Sequence, residues 1–187
     1  MKNKTLTLIV TCIAINMGLG QIASFLKLPI FLDTIGTILA AILLGPWIGL
    51  LTGLCTSLLK GVLFGPTAAA FAPVAMVIGF VPGMLNRYGM FRSIPLATVT
   101  GVITTLCLTV VAVPIRLYLF GGVTGSGADF MVAYLSVLGQ NLFGAVAWTV
   151  ITANLVDKVA SCLIVYTLIK QLPERIRAQF PNIGKMR

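Results

Sequence analysis

Late in the chain, Asn154, Asp157, Lys158 and Ser161 recur at i, i+3, i+4 and i+7, which puts an amide, a carboxylate, an ammonium and a hydroxyl on one helical face. Such a face can hold a polar solute through hydrogen bonds and charge. Charged groups inside an apolar span are costly and usually face protein or water. The competing account is that Asp157 and Lys158 mark the membrane interface and snorkel toward it.

A second polar stripe, Thr52, Thr56 and Lys60, follows an i, i+4, i+8 spacing and rises toward the same face. Gly49, Gly53 and Ser57 beside it read as small residues that let helices approach closely. Asn141 and Trp148 share a further face. An amide can both donate to and accept from a heterocycle, and an indole can stack on one; Trp is equally a routine interface anchor. Arg116, Tyr118 and Tyr134 flank the Gly-rich stretch 121–127 with the same ambiguity, and Asp33 adds a carboxylate near the same end.

Other chemistry is excluded by what the sequence omits. It contains no His, the commonest metal ligand and general base. Cys12, Cys55, Cys107 and Cys162 lie in apolar stretches without a Cys-x-x-Cys pair, so they read as small packing residues and neither a metal site nor a disulfide framework is expected. No phosphate-binding loop, paired catalytic carboxylates or Gly-x-Ser-x-Gly elbow occurs, so no enzyme and no cofactor is expected and any ATP must be hydrolysed by another subunit.

The elements that carry these residues must lie in a membrane. Of 187 residues, 58% are hydrophobic and 9% charged, with a mean hydropathy of +1.06; a soluble domain needs about a quarter charged residues to wet its surface. The net charge of +9 comes from thinly spread Lys and Arg, which suits topology signals better than nucleic acid. At about 20 residues per span, 187 residues accommodate roughly six helices in one membrane-embedded domain. The basic start followed by an apolar run is expected to be a retained first span, because no small-x-small cleavage site follows.

Punctuation predicts spans over 5–24, 32–44, 48–63, 68–85 and 94–113, broken by Lys27-Leu28-Pro29, Gly45-Pro46, Gly65-Pro66, the turn 86–89 and Pro114. Charge then predicts that 129–152 is a partly embedded helical segment on the outer side and that the last span covers 153–170. Six crossings with both ends in the cytoplasm put nine of the thirteen basic residues inside, leaving Lys27, Lys60, Arg116 and Lys158 outside. The polar chemistry then gathers at the outer face. A membrane scaffold without a small-molecule ligand and a self-sufficient transporter remain competing readings; the latter lacks an inverted repeat.

Several stretches together resemble the substrate-binding S component of an energy-coupling factor (ECF) importer for vitamins. They are Phe31-Leu32-Asp33-Thr34-Ile35-Gly36-Thr37, Leu44-Gly45-Pro46-Trp47-Ile48-Gly49 with Leu51-Thr52-Gly53, Asp157-Lys158, and Leu172-Pro173-Glu174-Arg175. The resemblance implies a six-helix bundle in the cell membrane with both termini inside and an outer ligand cavity closed by the first, third and fifth loops. It also implies partnership with a transmembrane coupling protein and two ATPases, whose turnover topples the S component to release a vitamin-like solute. The family's Ala-x-x-x-Ala docking motif falls on Ala14 and Gly18, the second Ala being replaced by Gly. The residues expected to bind substrate are Lys60, Asn141, Trp148, Asn154, Asp157 and Lys158, then Asp33, Arg116 and Tyr118. An anionic and a neutral solute fit this set equally.

Overall fold

The computed structural model describes residues 2–26, 31–177 and 179–180, and every regular element among them is an α-helix. In order these are α1 (Lys2–Phe25), α2 (Ile35–Leu44), α3 (Pro46–Phe64), α4 (Pro66–Ala70), α5 (Ala72–Arg87), α6 (Ile94–Phe120), α7 (Asp129–Val137), α8 (Leu142–Gln171) and α9 (Glu174–Arg177). α1, α3, α6 and α8 are long and apolar enough to cross a bilayer.

The packing inverts the pattern of a water-soluble protein. Asn16, Thr37, Thr52, Thr104, Asp157 and Lys158 are buried, whereas Leu6, Val10, Ile22, Val62, Val110 and Leu119 are exposed. Lipid tails are as apolar as Leu, so nothing drives such side chains inward, while polar groups must find partners inside the protein. Small residues bring the helices together. A Cβ added to Gly49, Gly53 or Gly79 would run into the backbone across the α3–α5 contact, which supports the packing role expected for the first two.

α2 has 10 residues and is only about 15 Å long, half a hydrocarbon core. It can be short because it is enclosed: eight of its residues, from Ile35 to Leu43, are buried. The chain reaches it through the non-helical segment 31–34, which occupies the depth that a longer helix would fill. Irregular backbone is tolerated there only when protein groups satisfy its amides. Two side chains from other helices do this. The Asp157 carboxylate on α8 accepts the amides of Phe31 (3.2 Å) and Leu32 (2.7 Å). Asn16 Oδ1 on α1 accepts those of Gly36 (2.7 Å) and Thr37 (3.3 Å), orphan donors of the first turn of α2.

Several boundaries depart from those expected. The second helix starts at Ile35 rather than at 32, for the reason just given. The expected span 68–85 is divided at Phe71 into α4 and α5; Pro73 opens α5 at its first turn, where a proline's missing amide costs nothing. α6 does not stop at Pro114 but continues to Phe120 and closes on Gly121 in the left-handed conformation, so Arg116 stands on a helix and not in a loop. The expected division of 129–170 at about residue 152 is also corrected. α7 covers only Asp129–Val137, and α8 is continuous from Leu142, capped where Asn141 Oδ1 accepts the Gly144 amide at 2.7 Å. The expected break at Lys27-Leu28-Pro29 lies outside the described residues.

The two ends of the bundle differ. Lys4 donates to Gln179 (3.4 Å) and the Tyr166 hydroxyl to Arg92 O (3.5 Å), so the start of α1, the start of α6 and the segment after α8 share one end. Among the described residues, Lys2, Lys4, Arg92, Arg175 and Arg177 stand on those segments, and Lys170 is in the last turn of α8. The opposite end carries 31–34, α4 and the Gly-rich loop, and a cavity opens between them.

Candidate functional site

The cavity measures about 380 Å³, within the range of small-molecule sites. α8 supplies Val150, Asn154 and Lys158; segment 31–34 supplies Phe31, Asp33 and Thr34; α3 supplies Ser57, Lys60 and Phe64. α1 contributes Gln21 and Ser24, α5 contributes Val74 and Ile78, and α6 contributes Arg116, faced by Thr124 and Ser126 of the Gly-rich loop. Apolar and aromatic walls with a few polar groups suit a small ring-bearing molecule.

Lys158 anchors the site from roughly the midpoint of α8, a helix of 30 residues and about 45 Å. Asn154, Asp157 and Lys158 are expected near the outer end of the last span; the earlier start of α8 puts them midway along it. Lys158 and Asp157 form an ion pair with side chains only 1% and 0% exposed, and Lys158 Nζ also donates to Thr34 Oγ1 at 3.0 Å. The pair therefore ties segment 31–34 to α8 through both partners: the carboxylate holds the Phe31 and Leu32 amides while the ammonium holds the Thr34 hydroxyl.

A second ion pair joins Lys60 Nζ to Asp33 Oδ2 at 2.8 Å, across α3 and segment 31–34. It is more open, with side chains 13% and 30% exposed. Gly20 on α1 leaves room for it: an added Cβ would stand 2.6 Å from Lys60 Nζ and 2.7 Å from Asp33 Cβ. The third pair is Arg116 with Asp129, at the mouth. Arg116 Nε donates to Gly122 O (2.9 Å), and the Asp129 carboxylate accepts the amides of Thr124 (3.1 Å to Oδ2) and Gly125 (2.6 Å). Arg116 and Asp129 thus fold the Gly-rich loop over the cavity, and the start of α7 is part of that clasp.

The expected binding residues separate accordingly. Lys60, Asn154, Lys158, Asp33 and Arg116 line one cavity, although they come from three helices and a loop. Asp157 is directly behind Lys158, fully buried and not in the lining. Asn141, Trp148 and Tyr118 are not part of the lining either. Asn141 is an exposed helix cap, and Trp148 and Tyr118 are 57% and 88% exposed. Their register along α8 and α6 turns them away from the cavity.

Asn16 is a residue that sequence reasoning did not single out. Fully buried on α1, it donates from Nδ2 to Thr37 (2.8 Å) and Thr56 (3.2 Å) while Oδ1 accepts the two α2 amides. A lone side-chain amide in the middle of an apolar span was the available signal. Phe31, Phe64 and Phe71 were missed as well; single phenylalanines in apolar runs carry no distinguishing pattern. The lower part of the α3 stripe is structural, since Thr52 and Thr56 donate to Ile48 O and Thr52 O and only Ser57 and Lys60 reach the cavity. Ala14 and Gly18 are exposed on α1, and no atom of the described residues stands within 4 Å of a Cβ added to Gly18.

The family model "ECF transporter, substrate-specific component" matches residues 4–169. No curated protein and no solved structure matches the chain.

Proposed function

Since the chain belongs to the family of ECF transporter substrate-specific components, multi-pass membrane proteins that bind the substrate and are not themselves enzymes, we propose that the cavity bordered by segment 31–34 is its solute site. Members of this family work with a membrane coupling protein and two ATPases and take up small molecules. The solute here is a water-soluble, vitamin-like micronutrient. Lys60, Asn154 and Lys158 contact it, with Asp33 and Arg116 at the edge and Asp157 fixing the floor from behind. The observation that carries this reading is the pair of irregular segments, 31–34 and the Gly-rich loop, held at one cavity by ion pairs and hydrogen bonds to α3, α8 and α6. A bundle that only held partners together has no need of such clasps.

In this reading α2 and α5 complete six crossings, both termini are cytoplasmic and the cavity faces outward across the cell membrane. The basic residues at the terminal end of the bundle support that orientation. Ala14 and Gly18 form an exposed groove of small side chains on α1 on which the coupling protein docks. ATP turnover in the ATPases then topples the loaded bundle, and the solute leaves inward.

The test is to purify the chain in detergent, identify the solute it retains, and measure affinity for that solute after Lys60→Ala, Asn154→Ala and Tyr118→Ala. The first two are expected to weaken binding by about tenfold or more, the usual effect of losing a buried polar contact, and the third to leave it unchanged. Equal affinities in all three would remove the cavity from consideration.

A further inference from the structure

Among the described residues, six charged side chains stand at the cavity or directly behind it, and they cancel in pairs: Lys60 with Asp33, Arg116 with Asp129, Lys158 with Asp157. The pairs are not free to exchange partners. Asp157 is held by the Phe31 and Leu32 amides, Lys158 by Thr34, Asp129 by the Thr124 and Gly125 amides, and Arg116 by Gly122 O. Lys60 and Asp33 have the most room, yet an anion drawing Lys60 away would leave the Asp33 carboxylate half-buried without its cation.

Among the described residues, the remaining lining offers nothing to balance a further charge. Its other polar side chains, Gln21, Ser24, Ser57, Thr67, Ser126 and Asn154, are uncharged and stand among apolar walls. Asn154 uses one N–H of Nδ2 on Val150 O at 2.9 Å, which leaves its second N–H and the Oδ1 acceptor for a ligand. Neutral donors and acceptors mixed on an apolar wall recognise a molecule that itself mixes the two. A net charge moved from water into such a place has no counter-ion to meet it, and burial of an unmatched charge is among the most unfavourable events in binding.

From this balance we infer that the solute carries no net charge at neutral pH, being an uncharged or zwitterionic ring compound rather than an anion or a cation. The inference rests on the cavity being the solute site. It settles for the neutral class what the sequence left open, since Lys60, Arg116 and Lys158 taken without their partners suggest an anion.

The experiment has two arms on the purified full chain. Small molecules released on denaturation are identified by mass spectrometry and their net charge at pH 7 assigned. Binding is also measured by thermal shift for matched probes, nicotinamide against nicotinate and pyridoxine against pyridoxal 5′-phosphate, with thiamine as a cation. A neutral or zwitterionic released molecule, or a neutral probe binding at least about tenfold tighter than its anionic counterpart, is the expected result. In any pair that binds, Asp33→Asn, which frees Lys60, shifts the preference toward the anion. A released anion or cation, or tighter binding of nicotinate, pyridoxal 5′-phosphate or thiamine, overturns the charge inference and leaves the solute-site reading intact. No released molecule and no shift with any probe overturns the solute-site reading and this inference with it.

Discussion

Replacing Asp157 by Asn removes one charge from the buried pair and keeps a side-chain carbonyl of nearly the same shape. In the native chain the carboxylate has no exposed surface, accepts two backbone amides and neutralises Lys158, itself 1% exposed. After the change, Lys158 keeps only the Thr34 hydroxyl as a polar partner, and an uncompensated ammonium is left in the interior. Breaking a buried pair from one side costs about 3–5 kcal/mol; at roughly 2–4 °C per kcal/mol for a chain of this length, melting should fall by about 6–20 °C. The double variant Asp157→Asn, Lys158→Met removes both charges yet retains an acceptor for the Phe31 and Leu32 amides. It should regain at least half of the loss, because apolar replacement of a complete buried pair is often neutral. Thermal unfolding in detergent, followed by tryptophan fluorescence, reads all three. A single variant melting within about 2 °C of the native chain, or a double variant no better than Asp157→Asn, would refute the claim that this pair secures the irregular segment.

Other consequences follow from the same contacts. Asn16→Ala leaves the Gly36 and Thr37 amides without their acceptor and should cost about 2–4 kcal/mol, read as a lower melting temperature. Gly20→Ala intrudes on Lys60 and Asp33; it should weaken solute binding by about tenfold or more with little loss of helicity by circular dichroism. Asn141→Ala removes the α8 cap and should lower stability by about 0.5–2 kcal/mol, while solute affinity stays within twofold of native by calorimetry. Gly18→Leu should leave melting unchanged, as nothing stands near that position, but reduce co-purification with the coupling protein.

The membrane class and the helical composition were legible because they depend on summed properties, charge content and span length, that survive local error. Packing roles for Gly49 and Gly53 were legible too, since small residues one turn apart have few other uses in a span. Helix ends at Pro114 and near residue 152 were misjudged for a physical reason: inside a bilayer the rules that stop a soluble helix are relaxed, and a continuous apolar run offers no punctuation. Because α8 begins eleven residues earlier than expected, Asn154, Asp157 and Lys158 moved from the surface to mid-depth. The same-face spacing of Asn154 and Lys158 carried over, and both line the cavity. Asp157, three residues from Asn154, is set behind the wall instead, because its carboxylate is used to satisfy backbone amides of a segment distant in sequence. No periodicity reports such a long-range need. Trp148 and Tyr118 show the converse: aromatic side chains near polar residues suggested stacking, and only the rotation of each helix against its neighbours shows them exposed.

The central claim is that one small solute occupies the cavity between segment 31–34, α3, α5 and α8. Native mass spectrometry of the detergent-purified chain tests it most directly when the native protein is compared with Ala75→Phe, a change that fills the cavity from α5. The account predicts a single small-molecule adduct on the native chain, absent from Ala75→Phe while the variant still melts cooperatively. An adduct of the same mass retained by the filled variant would contradict it.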